Sequence, residues 1–494
     1  IPIEVGALQP EVFDQIPKQH FKEMNRMAKL AGAKISVHAP LVEPSGIGEQ
    51  GWNESNRELA ERQLKNVVEK SFELDPSGGM PITIHSSGLP GKEYKMIHKK
   101  EGDEGKREVE KIIIVDRETG KPSQIEEETM YYPVERTKEG IFPANLEKRR
   151  FMSPEKRVEN INHMQWDNAV SQLIFNKERA DEILQQNRIQ AGEENYYKIK
   201  TGQTNFNDLV PQEQQAVYHL QNADMYLQDT QTNVEALFHK AYKNSTPEQQ
   251  EVLKEISKEY ANALNKSGGR LTGQSQAMQG LLLNLKQITP QLFQPIEEFA
   301  RGKSAETLGN VAFSAFQKFK DKAPTLSIEN MYPGMAFSSA EELKELVDAS
   351  RKEFVNLAEK KGMSKTSAEK QAEKMIGVTL DVGHLNIARK KGFTDEDLRK
   401  EAEAIAKYVK HVHLTDNFGF SDSHLPPGMG NVPFKDILEE LEKAGKGDVR
   451  KIVEAGGFVQ HFGTSPYPVA LEAMGSPIYS MEMAPYWNQA IGLQ

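Results

Sequence analysis

The chain has 494 residues, 37% hydrophobic and 27% charged, a soluble globular balance with length enough for more than one domain. Lys+Arg 62 against Asp+Glu 72 gives a net charge of -10, the wrong sign for a protein that grips nucleic acid through a general basic surface. Cysteine is absent, which excludes disulfide scaffolds, thiol nucleophiles and Cys-ligated zinc or iron-sulfur sites, so any metal must be held by His, Asp and Glu.

No apolar run approaches the roughly 18 residues of a membrane-spanning helix, and no membrane partner is expected. The opening IPIEVG lacks the charged, apolar and small-residue regions of a signal peptide. Processing or an upstream segment is expected before Ile1, with cytoplasm as the default compartment.

In chain order, residues 1–85 alternate strand and helix patterns: IPIEV, a helix near 18–31, KISVHA, a charged helix over 54–74, then PITIHS. The rhythm resumes at residue 323 with LSIEN, a helix over 340–361, VTLDVGH, a helix over 395–409, HVHLTDN, a helix over 434–444, KIVEAGG and finally IYSMEMA. Strands alternating with helices predict parallel βαβ units. Several strands are unbroken apolar runs ending in His, Asp or Glu, as in a buried parallel strand that delivers a functional residue at its C-terminal end.

Residues 86–322 differ. A hairpin is predicted over 93–132 around DRETGKP, followed by Gln- and Asn-rich helices with breaks at Gly192, Pro211, Pro247, Gly268-Gly269 and Gly302. Gly302-Lys303-Ser304 lacks the preceding glycine of a phosphate loop and reads as a helix start. The apolar spacing in GLLLNL and FSAFQKF predicts helices that pack on the barrel or on a neighbouring subunit. The flanking pieces, 1–85 and 323–494, come to about 250 residues, the size of a (β/α)₈ barrel. The reading is one barrel split after His85 by an insertion over 86–322, leaving from a βα loop. Seven strands are evident; the eighth is either upstream of Ile1 or supplied by IYSMEMA near Glu482.

Nine side chains recur at strand ends or the loops after them: His38, His85, Glu329, Asp381, His384, His413, Asp422, His424 and Glu454. Alone, each reads as an ordinary polar residue. Together, five of the 12 histidines and four carboxylates at one end of a barrel are what convergent metal ligation needs, and the mixture suits zinc, manganese or iron. Asp422 and His424 form a D-x-H pair that an extended backbone would aim to one side. His411 shares a strand face with His413 but lies further from the loop, so it reads as packed or as supporting a ligand.

The ordered segments ISVHAP, TIHSSG, SIENM, LDVGH, VHLTDN, SDSHLPPGMGN and IVEAGG resemble the xylose-isomerase-like TIM-barrel superfamily, and within it the endonuclease IV branch, also called AP endonuclease family 2. The resemblance covers most of the flanking residues and none of 86–322. It implies an α/β fold, a (β/α)₈ TIM barrel with a large mixed, mainly helical insertion, and a trinuclear zinc site. His38 and His85 would hold one metal; Glu329 would bridge it to a second, also held by Asp381, His413 and Glu454; His384, Asp422 and His424 would hold the third. The implied activity is phosphodiester hydrolysis, with abasic DNA as partner.

Sugar isomerases and epimerases of the same superfamily need one divalent ion, Mn or Mg, on Glu329, Asp381, His413 and Glu454, with Glu329 and Glu454 as catalytic base and acid on a small sugar. HLPPGMGN is wording shared with that branch. A third alternative is a non-catalytic binding or assembly protein on the same barrel, forming a homo-oligomer through the insertion.

Overall fold

Seven strands form one parallel sheet in sequence order: β1 (Pro2–Val5), β2 (Lys34–His38), β3 (Pro81–His85), β4 (Thr325–Glu329), β5 (Ile376–Asp381), β6 (Val409–Leu414) and β7 (Arg450–Val453). The computed structural model describes residues 2–6, 9–98, 105–131, 133–137, 140–143, 150–187 and 192–473. Every residue of β4 and β5 is buried. That is why these strands read as apolar runs instead of alternating: both faces are covered.

The register sets the functional end. Glu329 stands opposite His85, and Asp381 opposite His413, so neighbouring strands deliver their last side chains at one level. Inside the barrel, Thr83 and Thr379 hydroxyls meet at 3.0 Å. The sheet nearly closes on itself: Glu4 of β1 reaches His411 and His413 of β6 at 2.9 and 2.8 Å, and the Arg450 guanidinium of β7 donates to the Ile35 carbonyl of β2. The architecture is an α/β TIM barrel with seven strands among the described residues, where eight were expected. The IYSMEMA segment lies outside those residues.

The outer layer includes α1 (Lys18–Leu30), α2 (Glu54–Leu74), α3 (Ile296–Phe319), α4 (Ala340–Lys360), α5 (Lys365–Met375), α6 (Asp395–Ile405) and α7 (Phe434–Lys443). Leu64 and Val67 of α2, Leu308 and Val311 of α3, and Leu343, Leu346 and Phe354 of α4 share a core with Ile82, Ile84, Leu326, Ile328 and Val378. Each such side chain contributes roughly 1.5–3 kcal/mol by leaving water. The FSAFQKF pattern packs here, with Phe313 edge-on to Phe354 at 5.5 Å.

Gly302 does not break or start a helix, contrary to expectation; it sits inside α3. Glycine in a helix interior costs about 1 kcal/mol relative to alanine, and the buried Ile296, Ala300, Leu308 and Val311 outweigh that.

The chain falls into two compact units, Ile1–Pro154 with Pro295–Gln494, and Glu155–Gln294. The expected insertion, 86–322, is wider than the second unit because its two ends pack with the barrel. At one end is the hairpin, where Lys106–Asp116 pairs with Glu93–Ile97 and Pro122–Glu126. Its turn is the one read from DRETGKP: Asp116 accepts from the Glu118 amide, and Gly120 takes a positive φ of 71°. The hairpin is tied to the loop after β5, Lys391 lying 2.9 Å from Glu93 and 3.0 Å from Glu110. At the other end is α3, the helix between β3 and β4.

The second unit is helical: residues up to Asn187 of Pro154–Asn187, then Gly192–Lys200, Pro211–Lys243, Pro247–Ser267 and Leu271–Lys286. Gly192, Pro211 and Pro247 open helices, and Gly268 closes one in a left-handed conformation, as the breaks predicted. Trp166, Leu220, Leu227, Leu281, Leu282 and Leu285 form its core, with the Trp166 indole donating to the Leu285 carbonyl at 2.8 Å. Among the described residues, no helix is long and apolar enough to cross a membrane.

Candidate metal centre

All nine predicted residues lie at the C-terminal ends of β2 to β7 or on the loops after them. Eight of them assemble into groups that could hold an ion: His38, Glu329 and His413; Glu329, Asp381, His413 and Glu454; and His384, Asp422 and His424; His85 stands outside these groups, beside Glu329. Glu329 and His413 belong to both of the first two. Its Oε2 lies 3.4 Å from His38 Nε2 and 3.1 Å from His85 Nε2, while its Oε1 lies 2.8 Å from His413 Nδ1. His413 Nδ1 also faces Glu454 at 3.1 Å and Asp381 at 3.8 Å. The third group closes through Asp422 Oδ2, 3.2 Å from His384 Nε2 and 2.7 Å from His424 Nε2. His424 Nδ1 reaches Glu454 at 3.5 Å, connecting it to the second.

The donor set fits divalent metal. Glu329 Oε1 and Oε2, Asp381 Oδ2 and His413 Nδ1 are buried and, despite these short approaches, make no hydrogen bond of acceptable geometry. Buried polar atoms left in that state are costly unless a ligand completes them. The other edge of several donors is used for orientation. Asp381 Oδ1 accepts from Thr415 Oγ1 at 2.6 Å and from the His384 amide at 2.9 Å. His38 Nδ1 lies 3.1 Å from the Ala39 carbonyl, and His384 Nδ1 lies 2.8 Å from the Asn330 carbonyl. A ring nitrogen anchored to a carbonyl turns the opposite nitrogen toward an ion.

Electrostatics agree. Burial pushes the Glu329 carboxyl up, but His413, His38 and His85 outweigh it and hold it well below the usual range. Burial, followed by Glu329 and Glu454, raises Asp381. His38, whose burial alone would lower it, is pushed up to about 9 by Glu329. So much negative charge in a buried space is what a bound divalent cation would offset.

The site is graded from floor to rim. Glu329, Asp381, His384 and His413 are buried, whereas His85, Asp422, His424 and Glu454 are about a quarter to a third exposed. The D-x-H pair departs from expectation: His424 has a left-handed φ of 46°, not an extended backbone. Histidine tolerates this region better than most residues, and the turn lets both side chains of the pair meet.

Sequence reasoning missed three supports. Glu4 sits beneath the centre against His411 and His413; its place inside IPIEV, one residue before the strand's end, was a readable signal. Asp416 accepts from the amides of Asn417, Gly428, Gly430 and Val432 and so folds the loop carrying Asp422 and His424. Glu43 does the same for the loops after β2 and β3.

Residues 368–457 match the family described as xylose isomerase-like TIM barrel. That stretch is xylose isomerase-like. It includes Asp381, His384, His413, Asp422, His424 and Glu454. An uncharacterized protein of Methanocaldococcus jannaschii, MJ1311, is 39% identical over 72 residues, 15% of this chain and 23% of that relative; the match thus spans under a quarter of the relative's length. A solved structure titled as a D-tagatose 3-epimerase-like protein overlays at a TM-score of 0.38 with 12% identity, covering 96% of this chain and 90% of the other. An overlay that loose carries no argument about activity.

Proposed function

We propose that this barrel is a divalent-metal-dependent phosphodiester hydrolase of the endonuclease IV kind, holding up to three zinc ions and acting at abasic DNA. The observation that carries the reading is the joining of two candidate ligand groups through Glu329 and His413, with a third at His384, Asp422 and His424. A single-ion isomerase would use Glu329, Asp381, His413 and Glu454 and leave the other five ligands without a task.

His38 and His85 would hold one ion with Glu329, which would also serve the second beside Asp381, His413 and Glu454; the D-x-H pair and His384 would hold the third. Bound there, such ions supply an activated water and neutralise charge developing on phosphorus and on the leaving oxygen. Glu329 would keep two of the metal positions adjacent, and the loop folded by Asp416 would fix the third relative to them. Charge balance supports a phosphate substrate as well. Four carboxylates against three divalent ions leave the mouth positive, while the same four against one ion leave it negative. The acidic net charge of the chain therefore does not set the sign at the mouth.

Metal analysis of the purified protein, with cleavage of an abasic-site duplex, tests this. Three zinc ions per chain with strand scission beside the abasic site is the expected result. One ion per chain, with interconversion of a small ketose, would establish the isomerase reading instead, which the complete four-ligand group favours. Three ions and no cleavage would overturn the hydrolase assignment.

A further inference from the structure

Beneath the metal-facing groups lies a second buried carboxylate that the hydrolytic reading does not use. Glu4, on β1, places Oε1 at 2.8 Å from His413 Nε2 and accepts a hydrogen bond from His411 Nε2 at 2.9 Å through Oε2. Both rings are fully buried, and the Glu4 side chain is 9% exposed. The two imidazoles stand edge to face at 5.2 Å, as residues two apart on one strand face should.

His413 has carboxylates on both sides. Glu329, Glu454 and Asp381 face Nδ1, and with those three acting alone the ring's proton would settle on Nδ1, where it blocks ligation. An acceptor on the other edge draws the proton to Nε2 and leaves the Nδ1 lone pair for an ion, and Glu4 Oε1 is the group placed there. We infer that Glu4 is the positioning residue that makes His413 a metal ligand, and that His411 holds Glu4 in place by occupying its second oxygen. This deepens the metal-centre reading and rests on it. In this role Glu4 acts on the ion through His413.

The test is zinc and cobalt(II) binding to the full chain, read by calorimetric titration and by the cobalt d–d spectrum. His424→Ala assigns the binding class that belongs to the D-x-H group. Glu4→Ala is expected to weaken the His413 class by 10- to 100-fold and leave the D-x-H class unchanged, with an altered cobalt spectrum. Glu4→Gln, which keeps an acceptor and the side-chain volume, is expected to recover most of the affinity. If Glu4→Ala does not fold, Glu4→Asp carries the test, because it keeps the charge but withdraws it from His413. Unchanged affinity in Glu4→Ala, or in Glu4→Asp where that stands in for it, or equal weakening of both classes, would overturn the role of Glu4 while leaving the metal centre standing. Absence of metal binding by the unaltered protein would overturn the metal-centre reading itself and this inference with it.

Discussion

Glu43 Oε2 accepts from Ser87 Oγ at 2.7 Å, which ties the loop after the strand ending in His38 to the loop after the strand ending in His85. The same oxygen accepts the Gly88 amide at 2.8 Å, and Oε1 accepts the Ser45 amide and hydroxyl at 3.1 and 2.6 Å. One side chain thus positions two histidines that meet Glu329. Glu43→Ala would leave four donors short of a partner, three of them on residues that are themselves buried. We expect a loss of roughly 2–4 kcal/mol in urea denaturation and weaker zinc binding at the His38 and His85 position. A loss under about 0.5 kcal/mol would show that water replaces the carboxylate freely.

The barrel and the ring of His, Asp and Glu side chains at its strand ends were legible because they depend on local rules. Apolar runs such as those ending in Glu329 and Asp381 mark buried parallel strands, and the parallel register then brings their ends together without further information. Glu4, Glu43 and Asp416 were not legible to the same degree. A carboxylate that caps backbone amides on a distant loop has the same local sequence signature as one that faces water, and its partners are fixed only by tertiary structure. Gly302 failed for the complementary reason: propensity reads a glycine as a break, but the core on α3 extends past it on both sides.

A second prediction concerns pH. Glu297, on the first turn of α3, is buried with the Lys92 amide on its Oε1 at 2.6 Å. Glu342 lies nearby, taking the Tyr94 hydroxyl at 2.5 Å and the Lys92 ammonium at 3.8 Å. Burial and then the charge of Glu342 push the Glu297 carboxyl up to about 7 from 4.5. The folded chain therefore keeps a proton that the unfolded chain has released between those values, so stability from this group falls as pH rises from 4.5 to 7 and is level above. The full gap corresponds to roughly 3 kcal/mol. Glu297→Gln should remove that slope. Urea denaturation of both proteins at pH 5, 6, 7 and 8 measures it, and parallel profiles would refute the assignment.

A third follows from Asp416, which is buried and accepts four backbone amides. Asp416→Asn keeps the shape but puts an amide nitrogen where two or more donors converge. The loop that carries Asp422 and His424 should then loosen, because the left-handed φ of His424 is held only by its surroundings. The expected outcome is faster amide exchange over residues 417–432 and selective loss of the metal on the D-x-H group, while the ion on Glu329, Asp381, His413 and Glu454 stays. Exchange that is unchanged in this loop would mean that the bridge between Asp416 and Leu425 backbones, paired at 2.7 and 3.0 Å, suffices to hold it.

The last prediction separates the two chemistries at a single side chain. His424 contacts Asp422 at 2.7 Å and Glu454 at 3.5 Å, and it belongs to the third ligand group alone. In the hydrolase reading its removal takes away the charge that meets the leaving oxygen, which is worth several kcal/mol, on the order of a thousandfold in rate. His424→Ala should therefore retain two metals and lose abasic-site cleavage by about that factor, with little change in the binding of uncleaved DNA. In the isomerase reading the four ligands that matter are untouched, and sugar turnover by the same variant should stay within about tenfold of the unaltered protein. Assaying the variant on both substrates decides between the readings, because a large loss can appear in only one of the two columns.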